Sequence, residues 1–96
     1  MLRDLDPLLH SQLRLAVVSI LMSVEEADFV FLKEKTNSTA GNLSVQIEKL
    51  SEAGYIEANR TLEGRRTRTV CRMTEKGRQA FARYIDTLKD YLNVGK

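Results

Sequence analysis

The chain has one cysteine, one histidine, one proline and no tryptophan. Each shortage removes a class of chemistry. A structural zinc site takes four ligands, mostly Cys and His, so Cys71 and His10 cannot build a closed metal site within one chain. A lone cysteine forms no internal disulfide. The N-terminal MLRDLDP alternates apolar residues with charges, unlike a signal peptide, so the expected compartment is a reducing cytoplasm. No apolar run approaches the roughly 18–20 residues of a membrane span, because Ser19, Ser23 and the acids after them interrupt the longest. Six aromatics, most of them suited to a core, give no stacking platform for single-stranded RNA. There is no Gly-rich phosphate loop, and Glu25-Glu26 reads as a solvated link and not as an acid pair. Nothing in the pattern is catalytic, and no cofactor is expected. Cys71 reads as a small buried hydrophobe. A redox role would require it to be exposed beside Arg68 and Arg72, which would lower its pKa.

What is present is a 96-residue chain, 43% apolar, which reads as one domain over 1–96. A core this small gains from burial against a second copy. The net charge is only +2, yet Arg60–Arg72 holds five arginines against Glu63 alone, a local excess of +4. A basic patch on a near-neutral body is a footprint for a polyanion. A solvated hairpin tip would look the same in sequence.

The apolar spacing orders the chain. Asp6-Pro7 is a helix-start signal, with a short turn over Pro7–His10. Leu13, Ala16, Val17, Ile20 and Leu21 make the stripe of a helix over about Ser11–Met22. A short extended piece near Ala27 leads to a second helix over Asp28–Lys35. Asn37-Ser38 is turn chemistry, and Ser38 or Thr39 caps a third helix packed through Leu43, Ile47 and Leu50. Gly54 ends it as a left-handed cap. The period then changes to two over Tyr55–Arg60 and Thr67–Met73, a hairpin with Gly64 in its loop. Thr74 caps a last helix carrying Phe81, Tyr84, Ile85, Leu88, Tyr91 and Leu92. The fold class is mainly α with a small β-hairpin: a helix-turn-helix followed by an arginine-rich wing and a terminal helix, about 74–92.

Three phrases, DPLLHSQLRLAV, GNLSVQIEKLSEAGYIE and EGRRTRTVCRMTEKGRQAF, stand in an order that resembles the winged-helix DNA-binding domain of MarR-like bacterial transcriptional regulators. They resemble most a compact subgroup consisting of the winged helix plus a dimerisation helix, and cover most of the chain from Asp6 to Phe81. The resemblance implies a homodimer on a pseudo-palindromic operator, with the third helix in the major groove. The sequence departs from the pattern at Ser38, where the turn usually supplies an apolar residue. Val45 replaces a basic or polar reader, and Glu48 adds negative charge.

With Leu43, Ile47 and Leu50 inward, the opposite surface of the third helix carries Gly41, Val45, Glu48 and Glu52, flanked by Asn42 and Lys49. Thr39, Asn42, Val45, Gln46 and Lys49 are the expected groove contacts, with Asn or Gln suited to adenine and Val45 to a thymine methyl. On the wing, Arg65 and Arg66 lead, with Arg68 and Arg72 lower on the strand. Four arginines per subunit on phosphate would give a dimer a log–log salt slope of about −7. The six apolar residues of the last helix exceed what a core this size needs, so part of that seam is expected at a homodimer interface. The leading reading is a repressor that binds double-stranded DNA; any small-molecule effector is unknown. The alternative is a protein-docking module that uses Val45, Glu48 and Glu52.

Overall fold

The computed structural model describes residues 2–94. Its elements are α1 (Gln12–Met22), β1 (Ala27–Asp28), α2 (Phe29–Thr36), α3 (Ala40–Glu52), β2 (Ile56–Glu63), β3 (Arg66–Met73) and α4 (Glu75–Leu92). Local chemistry places most boundaries. Asp6 holds the entry turn, its carboxylate accepting from the Leu8 amide at 2.9 Å. Asp28 caps α2 through the Phe31 amide, so that helix starts one residue later than its periodicity predicts. Asn37 ends α2 at φ 52°, a left-handed position that Asn tolerates. Thr39 caps α3 by accepting from the Asn42 amide. Ser38, polar at a turn position that usually carries an apolar residue, bonds the Thr36 hydroxyl at 2.8 Å, and Thr36 in turn donates to the Leu32 carbonyl.

Leu9, Val17, Val18, Leu21, Leu32, Leu43, Leu50, Ile56 and Cys71 form a fully buried centre. α1 runs through it, and α2 and α3 close over it as a helix-turn-helix. Burying each such aliphatic side chain contributes about 1.5–3 kcal/mol before the entropy of ordering is subtracted.

The sheet has the order β1-β3-β2, and both pairings are antiparallel. β2 and β3 pair from Ile56↔Met73 out to Glu63↔Arg66, longer strands than the alternation alone predicts. Only Gly64-Arg65 remains as the turn, with Gly64 at φ 62°, the glycine-first arrangement of a two-residue hairpin loop. Eight residues per strand make a ribbon roughly 26 Å long, rooted in the core at Ile56, Cys71 and Met73. The hairpin contributes to an elongated body of 57 × 25 × 21 Å.

α4 begins where α3 ends. Thr74 accepts from the Gly77 amide at 3.0 Å, and its hydroxyl lies 2.6 Å from the Gly54 carbonyl and 3.0 Å from that of Tyr55. Gly77 is a requirement of this packing, because a Cβ there would sit 2.1 Å from the Tyr55 carbonyl oxygen and 2.7 Å from Met73 Cε. Backbone cannot retreat as a flexible side chain can. Gly77→Ala should therefore destabilise the fold by about 2 kcal/mol or more, although alanine is the better helix former. Gly41→Ala meets nothing within 4 Å and should gain about 0.5–1 kcal/mol. Urea unfolding of the two variants checks both signs.

Candidate nucleic-acid interface

α3 has two flanks with different surroundings. Ser44, Glu48, Ser51 and Glu52 face the hairpin across an open groove of about 750 Å³, whose other wall includes Ala58, Arg60, Thr67 and Thr69. On the opposite flank, Asn42 borders a hollow shared with Leu13, Ala16, Asn37 and Ser38. Along the outer ridge, Val45 is 47% exposed, Gly41 is open, and Lys49 is exposed. Thr39 is exposed but uses its oxygen as the cap. Gln46 does not extend outward as a reader. It is half-buried, accepts from Arg14 Nη1, and donates to Asn42 Oδ1 at 3.0 Å.

The wing arginines do not form one surface. Strand alternation puts Arg60 on the face with Ile56, Ala58, Thr69 and Cys71, towards α3, and puts Arg66, Arg68 and Arg72 on the reverse face. That reverse face holds carboxylates. Arg72 meets Glu26 at 3.1 Å, while Arg68 meets Asp28 at 3.4 Å and Glu63 at 3.8 Å. The expectation of four free cations per subunit is corrected accordingly: Arg68 and Arg72 are paired internally. Among the described residues Arg65 and Arg66 are in no ion pair, and both lie exposed at the tip. The exposed pairs are worth about 0–1 kcal/mol each, so they lower the local field more than they stabilise the fold.

The terminal helix is likewise divided. Tyr84 is 3% exposed and its hydroxyl lies 3.0 Å from His10 Nδ1, so it belongs to the chain's own core and leaves the expected interface set. Phe81, Ile85 and Leu88 are partly buried against that core. Tyr91 and Leu92 are exposed, Leu92 at 72%. The N-terminal segment lies along this end: Arg3 pairs with Asp90 at 2.8 Å and Asp86 at 3.2 Å, and its carbonyl accepts from the Tyr91 hydroxyl.

Two functional candidates escaped the sequence reading. Arg60 shares the alternation of Ile56 and Ala58, which was sufficient to turn it towards α3. Arg14 sits at the margin of the α1 stripe, and no local signal reports its distant partner Gln46.

A helix-turn-helix, a protruding two-stranded ribbon with a basic tip and a groove between them define a winged helix. The chain matches the winged helix DNA-binding domain family over residues 13–92 and belongs to it. It is 38% identical over 76 residues to the uncharacterized protein MJ0432 of Methanocaldococcus jannaschii, a match covering 79% of this chain and 83% of the relative. Among solved structures, a transcriptional regulator homologue from Pyrococcus horikoshii superposes with a TM-score of 0.82 at 26% identity, covering 90% of this chain and 85% of that one. The regulator BldR of Sulfolobus solfataricus gives 0.71 at 23%, covering 86% of this chain and 58% of its own length. MarR gives 0.77 at 17%, with coverages of 91% and 63%. The fold is that of the MarR-like winged-helix regulators, and the chain spans about three fifths of the length of these last two.

Cys71 is buried, and burial pushes its thiol up to about 11. The proton is held at neutral pH, so the nearby arginines do not make it a reactive thiolate. Tyr55 is pushed up to about 12, first by burial and then by its 2.5 Å hydrogen bond to Asp6 and the charge of that carboxylate. Both folded values exceed the unfolded ones, about 9 for the thiol and 10 for the phenol. Each group's stabilisation is therefore complete below its unfolded value and lost as pH rises through its folded value. Stability should hold to about pH 9 and decline between there and pH 12. Cys71→Ala should remove the earlier part of the decline and Tyr55→Phe the later part. Urea titrations across that range read the difference, and a thiol reagent at neutral pH should leave folded Cys71 unmodified.

Proposed function

We propose that the chain is a homodimeric transcriptional regulator that binds double-stranded DNA and represses by covering its operator. The observation that carries this reading is the pair of free guanidiniums, Arg65 and Arg66, at the end of a stiff ribbon beside the open ridge of α3. Guanidinium binds phosphate bidentately and enters the electronegative minor groove. Glu48 and Glu52 line the groove side of α3 and repel phosphate there. Reading therefore falls to the ridge and far flank, where Gly41 permits close approach, Val45 fits a thymine methyl, and Asn42 offers hydrogen bonds.

The dimer reading is supported by the exposed end of α4, with Tyr91, Leu92 and Val94, and by exposed Leu2 on the segment packed along it. A dimer reading two half-sites would need its α3 helices about 34–36 Å apart, one duplex turn. The P. horikoshii and S. solfataricus proteins are both named for transcriptional regulation, which accords with this assignment.

With two free tip arginines per subunit, the wing should contribute about −3.6 to the dimer's log–log salt slope. Arg65→Ala with Arg66→Ala should flatten the slope by about that amount and weaken operator and random duplex alike, as read by fluorescence anisotropy at several salt concentrations. An unchanged slope would contradict the assignment. Failure of the unaltered protein to bind any duplex at low salt would favour the docking module, built on exposed Val45 with Glu48 and Glu52.

A further inference from the structure

α1 reaches the reading helix through one side chain. Arg14 Nε donates to the Leu8 carbonyl at 2.6 Å, Arg14 Nη1 donates to Gln46 Oε1, and Gln46 Nε2 donates to Asn42 Oδ1 at 3.0 Å. The direction of this chain follows from the groups themselves. A guanidinium has N–H donors and no acceptor, so the end of Gln46 that meets it is the carbonyl oxygen. The other end of that amide is NH2, which only donates, so Asn42 meets it with its own carbonyl oxygen. Asn42 is left with its NH2 pointing away from Gln46 on an exposed surface. Reversing either amide would set donor against donor. Arg14 is itself held, since Leu8 belongs to the entry turn fixed by Asp6.

We propose that Arg14 is a positioning residue for base reading: acting through Gln46, it fixes Asn42 so that α3 presents a hydrogen-bond donor to the major groove. The inference rests on the DNA-binding reading and adds the polarity of recognition to it. Guanine offers N7 and O6 as acceptors, thymine offers O4 and adenine offers N7 beside its N6 donor, whereas cytosine shows only its N4 donor. The two-bond pairing of Asn with adenine needs Oδ1 to accept from N6, and here Gln46 already donates to that oxygen. The base opposite Asn42 should therefore be guanine or thymine, with adenine limited to one bond at N7 and cytosine rejected by about 5-fold or more.

Two variants and a selection of bound duplexes test this. Arg14→Met removes the anchor, and the guanine or thymine preference should disappear at one position per half-site while binding to random duplex persists. Gln46→Glu keeps an acceptor for Arg14 but has no N–H to give. Asn42 should then turn its NH2 to the introduced carboxylate and expose its oxygen, moving the preference to adenine or cytosine. A role in folding alone would not reverse a base preference, and the second variant keeps Arg14 partnered should the first fail to fold. Retention of the original preference by Gln46→Glu, with duplex binding intact, would overturn this inference alone. Absence of duplex binding by the unaltered protein would overturn the DNA reading and this inference with it.

Discussion

The close approach of α4 to the Tyr55 backbone is the constraint on which the rest of the molecule depends. Gly77 lets the first turn of α4 lie against that carbonyl, and Thr74 bonds across the same junction, its backbone amide donating to Tyr55 at 3.1 Å. Lys76 adds a bond to the Ala53 carbonyl at 2.8 Å, closing the C-terminal end of α3 with a cation where the helix dipole favours one. From the other side, Asp6 holds the Tyr55 hydroxyl. The end of α3, the root of the hairpin, the start of the terminal helix and the entry turn thus meet within a few residues. A shift at this junction would swing the wing tip and α3 relative to one another, since the ribbon acts as a long lever.

Charge in the folded molecule is distributed differently from charge along the chain. The Arg60–Arg72 excess suggests a broad cationic wing, but β1 brings Glu26 and Asp28 against the reverse face of β3, and antiparallel register places Glu57 opposite Arg72 and Glu63 opposite Arg66. On that face Arg66, Arg68 and Arg72 thus stand among Glu26, Asp28, Glu57 and Glu63. Positive potential is left mainly at the tip, where Arg65 and Arg66 are in no ion pair among the described residues. A polyanion would therefore meet the wing end-on, and the salt dependence of such a contact follows the few exposed guanidiniums rather than the sum of arginines in the segment.

The elements were legible because their signals are local. Caps at Thr39 and Thr74, the glycines at 54 and 64, and the change of period at Tyr55 each depend on a handful of neighbouring residues. Side-chain availability was not legible, because it depends on partners far along the chain. Arg68 lies 40 residues from Asp28, Arg72 lies 46 from Glu26, and Tyr84 lies 74 from His10. Helical periodicity put Tyr84 in a seam with Leu88 and Tyr91, but a seam has breadth, and its near edge belongs to the chain's own core. Gly77 did leave a local trace: a glycine within an otherwise strong helix costs about 1 kcal/mol relative to alanine, and such a cost in a stable element marks a close approach.

In the proposed function, grip and reading are anchored to different parts of one core. The wing is rooted at the α3–α4 junction, and among the described residues its tip arginines, Arg65 and Arg66, are in no ion pair. Asn42 is anchored through Gln46 and Arg14 to α1 and the entry turn, in a part-buried network whose polarity cannot be reversed without opposing two donors. Unpaired tip guanidiniums tolerate any sequence that supplies phosphate. A directional amide chain tolerates only bases with an acceptor in the right place. In the proposed function the same small domain holds DNA loosely everywhere and firmly at few sites, because the two surfaces answer to different physics: one to charge density, the other to hydrogen-bond direction.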